Sequence, residues 1–387
     1  MKKIQFLLIA LLPITIASCQ KTEDSNTSPS SSSNASSEEI ISSEQESLST
    51  SSSQEEVKTP FEVFKDTTYE MFSQSKLGLS GKNNSYHLSS SGSTSVKSGT
   101  TTQTSPFYEN VTISKGTLSL NVEGLTKAKK ADDIHASLKV GGDFDIKYSN
   151  TSKTQATSTF QAENVELSAY LNNNTAYLNL NNDGLKSLLS QITIEETNLN
   201  SLLNGKYYYK KSNILPTSEE TTYPLLSVTK EDINNALNDF DSDSLSGVIS
   251  FTQNESSYLL SIQFTNSMLT LLPPLYQMYL KSENPDLTDE ELKTKVKPVE
   301  DLCKNTKINT FHIALSYDKD GYQSLDSSID IEVKNYTYTD TSDDTSVSTT
   351  IDSLKFTNNS HYDFLYNSDM NIAKPTNEKD YTEISLN

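Results

Sequence analysis

The sequence predicts an α+β protein in which a large, curved antiparallel β-sheet, half-barrel-like, packs on a few α-helices. Three observations predict it. Long stretches alternate apolar and polar residues with period two and follow one another across short turns, as in an antiparallel meander. A few segments instead space their apolar residues at helical intervals behind recognisable caps. Strands and helices do not alternate one for one, which argues against a doubly wound parallel fold.

The globular part is expected to span 59–387. Thr59-Pro60 reads as an N-cap with a first-turn proline, and Phe61, Phe64, Thr68, Met71 and Phe72 fall on one helical face. Tyr108 to Leu120 alternates as a strand, with a break at Lys115-Gly116. Ile134, Ala136, Leu138 and Val140 alternate up to Gly141-Gly142, and Phe144, Ile146 and Tyr148 alternate after it. The glycine pair is therefore expected to turn a hairpin, because glycines allow the positive φ of tight primed turns. Phe160 to Tyr170 and Ala176 to Leu180 flank a turn at Asn172-Asn173-Asn174, and Leu185, Leu188, Leu189 and Ile192 make a short helix. Thr229-Lys230-Glu231-Asp232 caps a helix carrying Ile233, Ala236, Leu237 and Phe240. Val248 to Phe251 and Tyr258 to Phe264 read as a hairpin. Thr288 and Glu291 form a capping box before a helix with Leu292, Val296, Val299, Leu302 and Cys303, which Pro298 should kink or divide. Strands return at Ile308 to Tyr317 and Tyr322 to Tyr336, and a last one covers Val347 to Phe356. A helical insert is thus expected around 266–304. The pattern leaves open whether the strands form one sheet or two sub-sheets.

Residues 1–18 have the three-part grammar of an export signal: Lys2 and Lys3, an apolar stretch from Phe6 to Ile16, and the small pair Ala17-Ser18. That stretch is too short for a stable span of the bilayer. Ile16-Ala17-Ser18-Cys19 resembles the lipobox of bacterial lipoproteins. The resemblance implies cleavage before Cys19 and lipidation of its thiol, which would hold the mature chain at the extracellular side of the cell membrane. Two acyl chains attach durably, since each buried methylene contributes about 0.8 kcal/mol. Residues 19–58 would comprise the lipidated cysteine and a Ser-rich tether with almost nothing apolar, expected to be disordered. As a flexible coil of about 40 residues it would reach roughly 35 Å on average. Cys303 then has no partner for an internal disulfide and reads as a small buried hydrophobe.

The formal net charge is −20, and it becomes more negative once the leader lysines are removed. Such a surface repels nucleic acid and anionic lipid head groups. There is no arginine, hence no bidentate fork for phosphate or carboxylate.

The chemistry-bearing candidates are few. Ser256 to Leu280 contains no charged side chain. Pro273-Pro274 and several polar residues rule against a membrane span, which leaves a core helix plugging the sheet or the lining of an apolar ligand cavity. In the second reading Met268, Leu271, Leu272, Leu275, Met278 and Tyr279 would line it, the methionines adapting to variable chains. Tyr207, Tyr208 and Tyr209 beside Lys210 and Lys211 would suit sugar stacking or an ordinary half-buried strand. Asp318, Asp320 and Gly321 begin like a calcium loop, but no glutamate closes it, and a hairpin turn is the better reading. The clusters Asp239, Asp241, Asp243 and Asp340, Asp343, Asp344 read as solvated loops. His87, His135, His312 and His361 are scattered without metal-ligand spacing. No nucleophile elbow, zinc-protease helix, phosphate loop or dinucleotide fingerprint occurs, so neither a metal, a cofactor nor catalysis is expected.

The leading helix, the long strands, the helical insert and the hairpin from Ala169 to Leu178 together resemble the LolA-like and LppX/LprG-like lipoproteins, over about residues 60 to 365. That resemblance implies an antiparallel sheet curled around helices, holding a lipid or a partner's acyl chain. The expected function is therefore a non-enzymatic, lipid-anchored envelope protein binding an apolar ligand or another envelope protein. A surface adhesin is the alternative, from the long tether and polar strands, and a solute-binding protein of a transporter is the third.

Overall fold

Sustained alternation becomes strand, and it is sustained further than the apolar residues alone suggest. The computed structural model describes residues 58–191, 207–217, 222–238, 247–342, 345–366 and 370–384, without the side chains of 340–345. The expected leader, Cys19, the tether, Ile192, Phe240 and most of both acid clusters lie outside the described residues.

In chain order the elements are α1 (Pro60–Ser73), β1 (Lys76–Ser98), β2 (Thr101–Glu123), β3 (His135–Ser149), β4 (Ser158–Asn172), β5 (Thr175–Asn179), α2 (Asp183–Gln191), β6 (Tyr208–Ser212), α3 (Lys230–Leu237), β7 (Ile249–Asn254), β8 (Ser257–Gln263), a 3-10 turn (Asn266–Leu271), α4 (Leu272–Glu283), α5 (Asp289–Asn305), β9 (Thr306–Tyr317), β10 (Tyr322–Ser342), β11 (Thr345–Tyr366) and β12 (Thr382–Glu383). All twelve strands join one open, curved sheet in the order β12-β6-β5-β4-β3-β2-β1-β11-β10-β9-β8-β7. Pairing is antiparallel except for β12 beside β6. The α+β class is as expected, and there is one sheet rather than two.

Two meanders, β1 to β6 and β7 to β11, meet at a seam where β1 pairs with β11 from Leu77↔Tyr366 to Ser98↔Thr345. β1 is the long strand that the apolar pattern does not announce. β11 begins two residues before the expected strand and continues ten beyond it, and β10 runs six further.

Two expectations are corrected. Gly141-Gly142 turns no hairpin: both glycines lie inside β3, which continues through them. Their role is close approach, because a Cβ on Gly141 would lie 2.5 Å from the Val165 carbonyl oxygen of β4. Pro298 does not divide α5, which runs unbroken from Asp289 to Asn305.

The core sits where helices cover the sheet. Phe64 of α1 packs 5.4 Å from Phe251, 5.5 Å from Tyr317 and 6.0 Å from Tyr322, ring centre to ring centre. The Thr68 hydroxyl donates to the Phe64 carbonyl and so accepts from the Tyr322 hydroxyl at 2.6 Å. The Tyr317 hydroxyl donates to the Pro60 carbonyl. The first helix is thereby fixed to the C-terminal meander, not to β1 that follows it. α2 packs on β4, and α5 on β10, where Tyr336 donates to the Pro298 carbonyl. Both expected capping boxes form, Thr229 with Asp232 and Thr288 with Glu291.

Candidate functional site

A line of β-bulges creases the sheet and divides its helix-bearing face. β1 carries an extra residue between Gly81 and Ser85, with Asn83 left-handed at φ 59°. β2 is irregular between Ser114 and Thr117, with Lys115 at φ 51°. β4 answers with Asn164 at φ 53°, opposite the Gly142–Phe144 irregularity. The pairs Asn84↔Gly116, Thr117↔Gly141 and Gly142↔Val165 place these in one row. Bulges bend a strand and raise its twist, so an aligned row folds the sheet.

Side chains hold the crease. Asp143 accepts from Lys115 Nζ at 2.6 Å and from the Asn164 backbone N–H at 2.9 Å, tying three strands together. The Lys115 ammonium, then the Asn164 amide, hold the Asp143 carboxyl below its ordinary range. Asn84, buried, accepts from the His361 backbone N–H at 2.9 Å.

On the near side of the crease lies a trough. Opposed residues of an antiparallel ladder share a face, and the register aligns Leu79, Leu120, Leu138, Ala169, Leu178 and Tyr209 across six strands. The adjoining row reads Leu77, Val122, Ala136, Leu171, Ala176 and Lys211. The outer parts of both rows enclose an open cavity of about 330 Å³, closed at the sheet edge by Tyr209, Lys211 and Ile384. Leu79 also opposes Phe364, whose ring lies 5.4 Å from Tyr322 under α1. The trough and α1 therefore share the helix-bearing face.

Beyond the crease a second row, Ile308, Ile331, Phe356, Leu88, Val111, Ile146 and Phe160, crosses seven strands. β11 pairs with β10 without a shift between Phe364 and Phe356, so this row lies on the same face. Phe160 and Ile146, with Leu185 of α2, pack against the buried cluster of Ala162, Val165 and Leu188, the last also from α2. The middle of the row, Leu88, Val111, Ile331 and Phe356, stays partly exposed.

Comparison with known proteins adds little to this geometry. No protein-family model matches the chain, and no curated protein matches it. Among solved structures it is similar to the outer membrane protein OprG from Pseudomonas aeruginosa at 8% identity, covering 76% of this chain and 98% of that one, with a TM-score of 0.10. A likeness of that size carries no argument.

The charge-free segment contributes Leu260 and Ile262 of β8 to the core, but its second part, expected to plug the core or line a cavity, does neither. Met268 is half-buried, but Leu271, Leu272, Leu275, Met278 and Tyr279 are all exposed, and α4 buries no residue. The reason is Pro273: it starts a new helix just past the 3-10 turn and carries the segment off the sheet. The apolar lining comes instead from strands, and Ala169 to Leu178, the hairpin singled out in the sequence, supplies half of it. Tyr209 lines the trough while Tyr208 turns away to meet Tyr381, 5.2 Å between ring centres.

The opposite face carries a polar groove. Two of the four histidines, His312 and His361, which are far apart in sequence, line one groove of about 350 Å³ with Asp326, Ser328 and Asn359. His361 Nδ1 lies 2.7 Å from Asp326 and Nε2 3.3 Å from Asp363. No group of three His, Cys, Asp or Glu side chains among the described residues could hold a metal ion. Asp318 closes the β9–β10 turn as expected, accepting from the backbone of Asp320 and Gly321. Cys303 is a half-buried free thiol, its pKa raised by burial. No helix of the described residues is long and apolar enough to cross a membrane.

Proposed function

We propose that this chain is a lipid-anchored protein of the cell envelope, without catalytic activity, that holds an apolar ligand on the helix-bearing face of its sheet. The ligand is a lipid or the acyl chain of a partner protein, and Cys19 provides the anchor on the extracellular side. The observation that carries the reading is the trough. Its volume lies in the range of small-molecule sites, and Ala136, Leu138, Ala169, Leu171 and Leu178 present carbon to it, with Lys210 and Lys211 as the charged members of its lining. Alanines at alternate positions supply depth: a larger residue at Ala169 or Ala176 would fill the space that a chain of methylenes needs. Binding there exchanges exposed apolar surface for contact, at about 25 cal/mol per Å².

Native mass spectrometry of the chain purified from lipid-containing cells tests this. A lipid-sized added mass is expected, and Ala169→Trp, which fills the trough, should remove it without lowering the melting temperature. A ligand-free mass in both proteins overturns the apolar-ligand reading. One sheet, antiparallel except for β12 beside β6, does not supply the two α/β lobes on which the solute-binding reading depends.

A further inference from the structure

The apolar residues of α4 and of its N-cap Leu271 require an occupant, and the segment is unlike the rest of the surface. Leu271, Leu275 and Met278 follow one another at intervals of four and three, the spacing of one helical stripe, and are 57%, 57% and 69% exposed. Leu272 and Tyr279 widen the stripe and are also exposed. From Ser256 to Leu280 there is no charged side chain, in a protein of net charge −20. Nothing ionised would have to be stripped of water if the helix met an apolar phase as far as Leu280, since its charges, Lys281 and Glu283, stand only in the last turn. Tyr276 and Tyr279 stack with their ring centres 6.2 Å apart, and amphipathic rings of this kind suit the boundary between lipid head groups and acyl chains. The first cation, Lys281, stands at the last turn and pairs with Asp289 at 3.6 Å.

We propose that α4 lies in the surface of the lipid bilayer to which the chain is anchored, its stripe sunk to the level of the upper acyl chains. A second copy of the chain fits less well. A helix of this length is about 18 Å long, and Leu271, Leu275 and Met278 together offer roughly 350 Å², less than half of the about 800 Å² per partner in a stable interface. A membrane makes no such demand, because interfacial helices bind in proportion to their buried apolar area and can be weak individually. The tether compensates for weakness: a spacer of about 40 residues confines the domain near the bilayer, so the second contact is made at high effective concentration. This last step rests on the lipid-anchor reading. The contact also orients the domain, with α4 towards the lipid.

The test uses a chain starting at Gln20, which lacks the leader and Cys19 but keeps the whole compact unit Pro60–Asn387. Co-flotation with phosphatidylcholine vesicles is measured for this chain and for its Leu275→Glu/Met278→Glu variant. The variant should float at least tenfold less, with an unchanged melting temperature because neither side chain is buried. Adding phosphatidylglycerol should reduce flotation of the parent chain, since net charge and head group repel. Equal flotation of the two chains overturns the proposal. So does a parent dimer in sedimentation that the variant abolishes, which assigns the stripe to self-association. The anchor is judged separately, by detergent-phase partition of the full chain against Cys19→Ala. If Cys19→Ala leaves that partition unchanged while the vesicle result holds, the anchor reading fails and the α4 contact stands.

Discussion

Replacing Phe64 by alanine tests whether the leading helix is part of the core it adjoins. The ring is 4% exposed and touches Phe251, Tyr317 and Tyr322. Loss of a buried phenyl group costs about 3–5 kcal/mol, and the rigid tyrosines around it, each hydrogen-bonded in place, leave little scope for collapse, so a value near 4 kcal/mol is expected. A unit of roughly 330 residues unfolds with an entropy near 0.7 kcal/mol/K, so the melting temperature should fall by about 6 °C. Tyr322→Phe is the companion. It removes one buried hydroxyl whose partner, Thr68, still donates to the Phe64 carbonyl, so about 1 kcal/mol and 1–2 °C are expected. Scanning calorimetry reads both. A fall below about 2 °C for Phe64→Ala, or a larger effect for Tyr322→Phe, would refute the view that α1 seals this end of the sheet.

The remaining predictions concern the crease, the polar face and the thiol. Gly141→Ala should cost about 1–3 kcal/mol by denaturant midpoint because its Cβ meets the Val165 carbonyl, whereas Gly247→Ala, with nothing within 4 Å, should be close to neutral. Asn84→Ala leaves the His361 backbone N–H without its acceptor and should cost about 1–3 kcal/mol. The hydrogen bond to Asp326 raises the His361 pKa above its ordinary 6.5. The folded imidazole then holds its proton more tightly than the unfolded one, so its stabilisation is complete below pH 6.5 and disappears as pH rises through the raised value. An NMR titration should show this, and Asp326→Asn should lower the midpoint. Cys303, its pKa raised by burial, should react more slowly with a thiol reagent at pH 8 in the folded protein than in urea.

Much of the fold was legible because its signals are local. Capping boxes, the Asn172–Asn174 turn and the hairpin of β7 and β8 depend on neighbours in sequence. What was not legible depends on partners far away. Gly141-Gly142 looks like a turn until β4 approaches, and Asn83, Lys115 and Asn164 carry no sign that their bulges align. The apolar hollow was expected elsewhere in the chain for a related reason. Hydrophobicity marked the run from Met268 to Tyr279, but Pro273 redirected it, whereas the trough is assembled from one or two unremarkable Leu or Ala residues per strand and becomes visible only through register.

The seam between β1 and β11 has a consequence for how such a chain comes into being. Its first long strand finds its second partner only when residues 345 to 366 are available, so an emerging chain must carry β1 with one edge open for most of its synthesis. A Val- and Ile-rich strand in that state would recruit other chains. β1 instead carries Ser89, Ser90, Ser91, Ser93 and Ser95 where it later meets β11. These side chains give little reward for premature pairing, and the partners of Ser91, Ser93 and Ser95, which are Ser353, Thr350 and Ser348, are as polar as they are. The polarity that hides β1 from a reader of the sequence also hides it from the wrong partner, at the cost of a slow final closure between distant ends of the chain.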